Sequence, residues 1–204
     1  MASTSIPNPI LHHINLKTTR LREMVDWYGL VTGVVVTHLA ETGAWLTNDA
    51  ANHRIALLAV PGLIDDPAKL EHTGMHHSGY EYPTMDDLLD TYVRLAGHGI
   101  LPHACLDHGM TMSFYYLDPD ANSVELQCDV FGDWAKSKEF MLTSPVFESN
   151  PIGVPVDPDL LLAARDAGAD AGELHRRAYA GEFSPDRPLD LRLPTPADAP
   201  SNPQ

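Results

Sequence analysis

The sequence predicts an α+β chain built from two tandem βαβββ modules, followed by a partly helical C-terminal extension. Three observations carry this reading. The apolar spacing switches between a period of two and a period near 3.6, in the same order, twice along the chain. Each cycle opens on a histidine pair, His12-His13 and His76-His77, the two pairs standing 64 residues apart. Each cycle closes on a turn that contains Ala-Asn, in NDAANHRIAL and again in DPDANSVELQ. A unit that returns with its own landmarks points to internal duplication.

The elements follow in order. Residues 10–17 alternate, with His12, Ile14 and Leu16 on one face and His13, Asn15 and Lys17 on the other, which predicts a strand. From Arg20, the residues Leu21, Met24, Val25, Tyr28 and Val31 recur at helical spacing, and Gly33 stands where a C-terminal cap belongs. Short apolar runs at 34–40, 43–47 and 53–60 complete the first module, about 10–62, and the proline-bearing stretch 61–72 reads as a connector. The second module, about 74–130, repeats this with a strand at 75–82 and a helix opened by a Thr84/Asp87 capping box. That helix carries the stripe Met85, Leu88, Leu89, Tyr92, Leu95 and Ala96, and strands follow at 100–106, 110–117 and 122–129. Together the modules form one expected domain, 1–130, entered through an extended lead-in at 1–9.

In the extension, 131–204, Asp157-Pro158 begins a helix and AGELHRRAYAG a second short one. The proline-rich chain beyond Ser184 is expected to be extended or disordered, with the last ten or so residues structureless. The extension is expected to wrap the domain or serve an oligomer interface, and a homo-oligomer is expected.

Composition narrows the function. A chain of 204 residues, 44% hydrophobic, is long enough for a sizeable core. Its net charge of -15 speaks against nucleic acid and anionic membrane as partners, because both select for clustered Lys and Arg. Cys105 and Cys128 lie in apolar strand segments without CxxC spacing and read as buried free thiols. The absence of a leader-like segment and of a run of about 18 apolar residues places the expectation in the cytoplasm. Eleven histidines are the unusual feature, since imidazole is the commonest metal ligand and proton carrier.

The chemistry concentrates in the segment 107–129, DHGMTMSFYYLDPDANSVELQCD. In its second strand Val124, Leu126 and Cys128 alternate with Ser123, Glu125 and Gln127, so the glutamate lies opposite the apolar set, facing either solvent or a polar cavity. If the modules pair about a pseudo-twofold axis, His13 and His77 approach Glu125. Two imidazoles and one carboxylate with open positions are the donor set that suits Fe(II). Within each pair the other histidine, His12 or His76, is the alternative ligand, and strand parity with Asn15 and Gly79 favours His13 and His77. The duplicate of Glu125 aligns on Ile55, which leaves three ligands and an open face. His53, two residues before Ile55, shares that strand's face. Tyr115 has the inward parity of Thr111 and Ser113, and His108 sits at the hairpin entrance. His38, His72, His98, His103 and His175 read as surface or helix-end residues.

The motifs LHHINL, HRIALL, HHSGYEY, DHG and YYLDPDANSVEL, spread over about residues 10–130, resemble the vicinal oxygen chelate (glyoxalase/bleomycin resistance/dioxygenase) superfamily. Within it they resemble the type I extradiol ring-cleaving catechol dioxygenases in their short, single-domain form. The resemblance implies an open eight-stranded cup made by the two modules. It implies His13, His77 and Glu125 as Fe(II) ligands, a set that also fits Mn(II). It implies His53 as the base beside bound oxygen, and His108 and Tyr115 as groups positioning the catecholate. The partners would be a catechol-type diol and O2. Two rivals remain at this level: a non-redox metal-dependent lyase or isomerase of the same superfamily, and a non-catalytic small-molecule binding protein.

Overall fold

Alternation and helical spacing translate into the expected elements in the computed structural model, which describes residues 8–194. The structureless end expected for the last ten residues, and most of the lead-in expected at 1–9, lie outside the described residues. The chain divides into two compact units, 1–65 and 66–204, and the division falls inside the connector.

The first unit runs β1 (Ile14–Lys17), α1 (Leu21–Thr32), β2 (Val35–Leu39), β3 (Gly43–Thr47) and β4 (Ile55–Leu58). Its sheet has the order β1-β4-β3-β2, with β1 parallel to β4 and the other neighbours antiparallel. Met24, Tyr28 and Val31, spaced along one face of α1, are fully buried, and Gly33 caps the helix in the left-handed region at φ 72°. Both β1 and β4 begin later than their alternation predicts, which leaves His12, His13 and His53 just outside the ladder. The reason is local. The Asp49 side chain accepts from the Ala51 amide and binds Arg54, which fixes the chain as a turn until Ile55. Parallel pairing therefore starts at Ile14↔Ile55.

The second unit continues with β5 (His77–Tyr82), α2 (Met85–Gly97), β6 (Ala104–Asp107), β7 (Thr111–Leu117) and β8 (Ser123–Asp129). The extension adds α3 (Trp134–Thr143), α4 (Pro145–Ser149), β9 (Val154–Pro155), α5 (Pro158–Asp166) and α6 (Ala171–Tyr179). Thr84 caps α2 by accepting from the Asp87 amide at 3.1 Å, as the capping box requires. One face of the sheet packs Phe114, Tyr116, Val124, Leu126 and Cys128, all fully buried, beside Leu88, Leu89 and Leu95 of α2. Each such side chain contributes about 1.5–3 kcal/mol by leaving water. Cys105 and Cys128 are buried free thiols, as expected.

The sheet has five strands, not four, because β9 joins the edge of β6 through Leu106↔Pro155 and Asp107↔Val154. A two-residue strand with a proline has no period to read. The helices at 158 and 171 stand where expected, each begun by an aspartate cap, Asp157 and Asp170. By contrast α3 buries only Ser137 and so shows no apolar stripe, and α4 is too short to display one. Among the described residues, no helix is long and apolar enough to cross a membrane.

The two internal registers correct one alignment. With His13 matched to His77, Ile14 corresponds to Ser78; these pair with Ile55 and Val124 respectively. The counterpart of Glu125 is therefore Ala56, paired with Asn15 as Glu125 is with Gly79, and not Ile55. The counterpart of Tyr115 is Trp45, which pairs with Ala56. Leu46↔Ile55 encloses residues 47–54, whereas Tyr116↔Val124 encloses 117–123. The first hairpin thus holds one extra residue, which the shared Ala-Asn hides.

Candidate active site

The face of the second sheet opposite α2 collects the polar groups. Tyr115 and Glu125 are directly paired across β7 and β8, so their side chains share a face. The Tyr115 hydroxyl donates to Glu125 Oε1 at 3.0 Å and lies 2.8 Å from His108 Nε2. Glu125 Oε2 lies 3.2 Å from His77 Nε2, and the His77 ring stands edge-on to Tyr115 at 5.4 Å. It is His77, not His76, that meets the carboxylate. Gly79 opposite makes room for it: a Cβ there would sit 3.0 Å from Glu125 Oε2.

Electrostatics fixes the protons. Burial alone would push the Glu125 carboxyl up, but hydrogen bonds from His77, Ser113 and Tyr115 and the charge of His77 outweigh it and hold it below the ordinary glutamate value. Burial, with the Glu125 charge beside it, raises the Tyr115 phenol far out of reach of neutral pH, so it stays a donor. Burial also lowers His108, which is therefore neutral near pH 7. The charges of Glu125 and Asp107 and the Ile152 backbone oppose that lowering without overcoming it. The Tyr115 hydroxyl thus lies between His108 Nε2 and Glu125 Oε1.

The loop that carries His108 is held by a pair the sequence did not reveal. Asp107 is fully buried, accepts from the Gly109 amide at 2.8 Å, and meets His175 Nδ1 at 2.7 Å. His175, expected as a surface or helix-end residue, comes from α6 and packs against Phe131 and Tyr179. His103, given the same expectation, is half-buried between Ser123 Oγ and the Asp190 carbonyl. Neither contact has a sequence signal, since the partners lie 68 and 87 residues away. Replacing His175 by alanine leaves the Asp107 carboxylate short of a partner in a buried site. The expected cost is about 1–3 kcal/mol, read as a lower unfolding midpoint in urea at unchanged slope.

In the first unit, His13 and His53 lie with ring centroids 4.4 Å apart, and His12 closes on both. The ligand atoms of these three histidines fall within 4.8 Å of one another. Arg54 holds the arm by donating to the His12 carbonyl at 2.9 Å while it binds Asp49. Desolvation, then the neighbouring His13 and His12, lower the His53 imidazole, which favours its neutral form. The six residues expected in the site thus fall into two clusters: His13 with His53 in the first unit, and His77, His108, Tyr115 and Glu125 in the second.

Two βαβββ modules with this polar face have a counterpart among known families. The family described as the Glyoxalase/Bleomycin resistance protein/Dioxygenase superfamily matches residues 10–126. The chain belongs to this superfamily. Two relatives extend the match past the modules. Biphenyl-2,3-diol 1,2-dioxygenase 2 of Rhodococcus globerulus is 38% identical over 180 residues, which is 88% of this chain and 94% of the relative. Biphenyl-2,3-diol 1,2-dioxygenase 3 of the same organism is 37% identical over 172 residues, 84% of this chain and 90% of the relative. Among solved structures, a glyoxylase/bleomycin resistance protein/dioxygenase domain from Frankia sp. aligns with a TM-score of 0.50 at 19% identity, over 61% of this chain and 93% of that one. At that identity it supports the superfamily fold and nothing finer.

Proposed function

We propose that this chain is an extradiol ring-cleaving dioxygenase, which inserts both atoms of O2 beside the hydroxyls of a catechol-type diol such as a biphenyl-2,3-diol or another substituted catechol. The observation that carries the reading is the pair of biphenyl-2,3-diol dioxygenases, similar over 84–88% of this chain, so that the match includes much of the extension as well as the modules.

The reading needs a metal, Fe(II) or alternatively Mn(II), held by His77 and Glu125 with His13 as the third ligand. The donor set supports it. Two metal bonds of about 2.1 Å at right angles place their donor atoms roughly 3 Å apart, and His77 Nε2 and Glu125 Oε2 are 3.2 Å apart. Gly79 leaves the carboxylate the space that a side chain would fill. His13 enters through its equivalence to His77 in the duplicated module and through the family pattern. A metal held there would supply Lewis acidity toward the diol and an electron path between ring and O2.

This chain's own residues do the rest. Tyr115, kept protonated, donates to a diol oxygen and orients the ring. His108, kept neutral near pH 7 by burial, takes up the proton that the diol loses. His53, kept neutral, serves as the base and then the acid beside the ring carbon that reacts.

Protein loaded with Fe(II) without oxygen and then mixed with a panel of catechols in air is expected to consume one O2 per diol and give a yellow ring-opened product. No oxygen uptake with any diol, from a sample shown to hold iron, would overturn the function.

A further inference from the structure

One piece of the extension lies on the polar face itself. Leu189 and Leu191 pack against Ala104, Leu106 and Tyr115, while Asp190 between them is exposed. Ala104 pairs with Tyr115 and Leu106 with Ser113 across β6 and β7, so this apolar ground is continuous with the Tyr115 and Glu125 side of the sheet. The strap is seated through its backbone. His103 Nδ1 is 2.9 Å from the Asp190 carbonyl, and its Nε2 is 3.0 Å from the buried Ser123 Oγ. His76 Nε2 is 2.9 Å from the Leu191 carbonyl, and its Nδ1 is 2.8 Å from His77 Nδ1. Both carbonyls can only accept, so each imidazole spends a ring proton on holding the strap. Two such bonds on successive peptide units fix which side chains point down, and those are the leucines.

We infer that residues 189–191 form the wall that selects the ring substituent: Leu189 and Leu191 occupy apolar ground beside Tyr115 that a large substituent would otherwise use, and so limit its size. The inference rests on the dioxygenase reading. A diol oriented by Tyr115 must present part of its ring edge to the neighbouring surface, and there that surface is made by two leucines. Cutting both back to alanine uncovers Ala104 and Leu106, an apolar floor that suits a second aromatic ring.

The test compares 2,3-dihydroxybiphenyl with catechol on the full chain. In Leu189→Ala/Leu191→Ala, the ratio of kcat/KM for the biphenyl diol to that for catechol is expected to rise about tenfold, the scale on which small changes in an apolar pocket discriminate. In Leu191→Trp the same ratio is expected to fall. Dissociation constants measured by calorimetry under argon should move in the same directions, which gives a readout that does not depend on turnover. Turnover with an unmoved ratio in both variants would overturn the wall and leave the dioxygenase standing. Diol binding that shifts in the two variants without oxygen uptake in any would overturn the dioxygenase and keep the wall. No binding of either diol would overturn both.

Discussion

Replacing Glu125 by alanine is expected to remove the metal and, with it, the activity. The carboxylate is buried, held ionised by His77, Ser113 and Tyr115, and set 3.2 Å from the His77 nitrogen that would share the ion. Without it, two imidazoles would have to retain a divalent ion that prefers at least one anionic oxygen. Iron per chain should fall from near one to background, and turnover by more than about a hundredfold, since even the outer partners of metal ligands are worth 10–100-fold. The alanine itself is tolerable, because the lost side chain opens polar space and exposes no apolar core. Circular dichroism should therefore match the parent. Unchanged iron content would show that the carboxylate has another job.

The second large effect is expected at Gly153, far from Glu125 in sequence. This residue sits at φ 87°, and a Cβ built on it would lie 2.1 Å from the Asp107 carbonyl oxygen and 2.7 Å from the His108 Cα. Both obstacles are backbone, so no side chain can swing away. Gly153→Ala must pay about 1–2 kcal/mol for the left-handed conformation and must also displace the chain that bears His108. A total loss on the order of 3 kcal/mol is expected, or roughly 6–12 °C in Tm for a chain this size. Turnover should fall at least about tenfold even where the protein is folded, because His108 moves relative to Tyr115. Gly168→Ala is the control: its φ is 101° but nothing lies within 4 Å. It should show the backbone cost alone, with turnover unchanged. Equal losses in the two variants would mean that contact with the 107–108 backbone does not matter.

Much of the fold was readable because the two modules advertise themselves. Period-two and helical spacing, Gly33, and the Thr84 capping box are local signals, and each appears at its place in the structure. Within the candidate site, the shared face of Tyr115 and Glu125 was readable because strand parity governs it. What escaped depends on contacts across long sequence separations. The His175–Asp107 pair, the β9 edge strand and the leucine strap are all made by an extension whose side chains show no period, and no local rule says where such a segment docks. The histidines at strand mouths were misplaced by one or two residues for a different reason: a side-chain-capped turn makes the ladder begin later than alternation alone suggests.

The extra residue in the first hairpin also says where the two modules differ. A change of one residue in a loop slides every later side chain by one place relative to its text-matched twin, while the ladder itself stays intact. Anyone wishing to restore symmetry by grafting a second acidic arm would, on sequence alone, choose Ile55, which is fully buried. The strand register instead names Ala56, across from Trp45, as the place where such an arm would mirror Glu125.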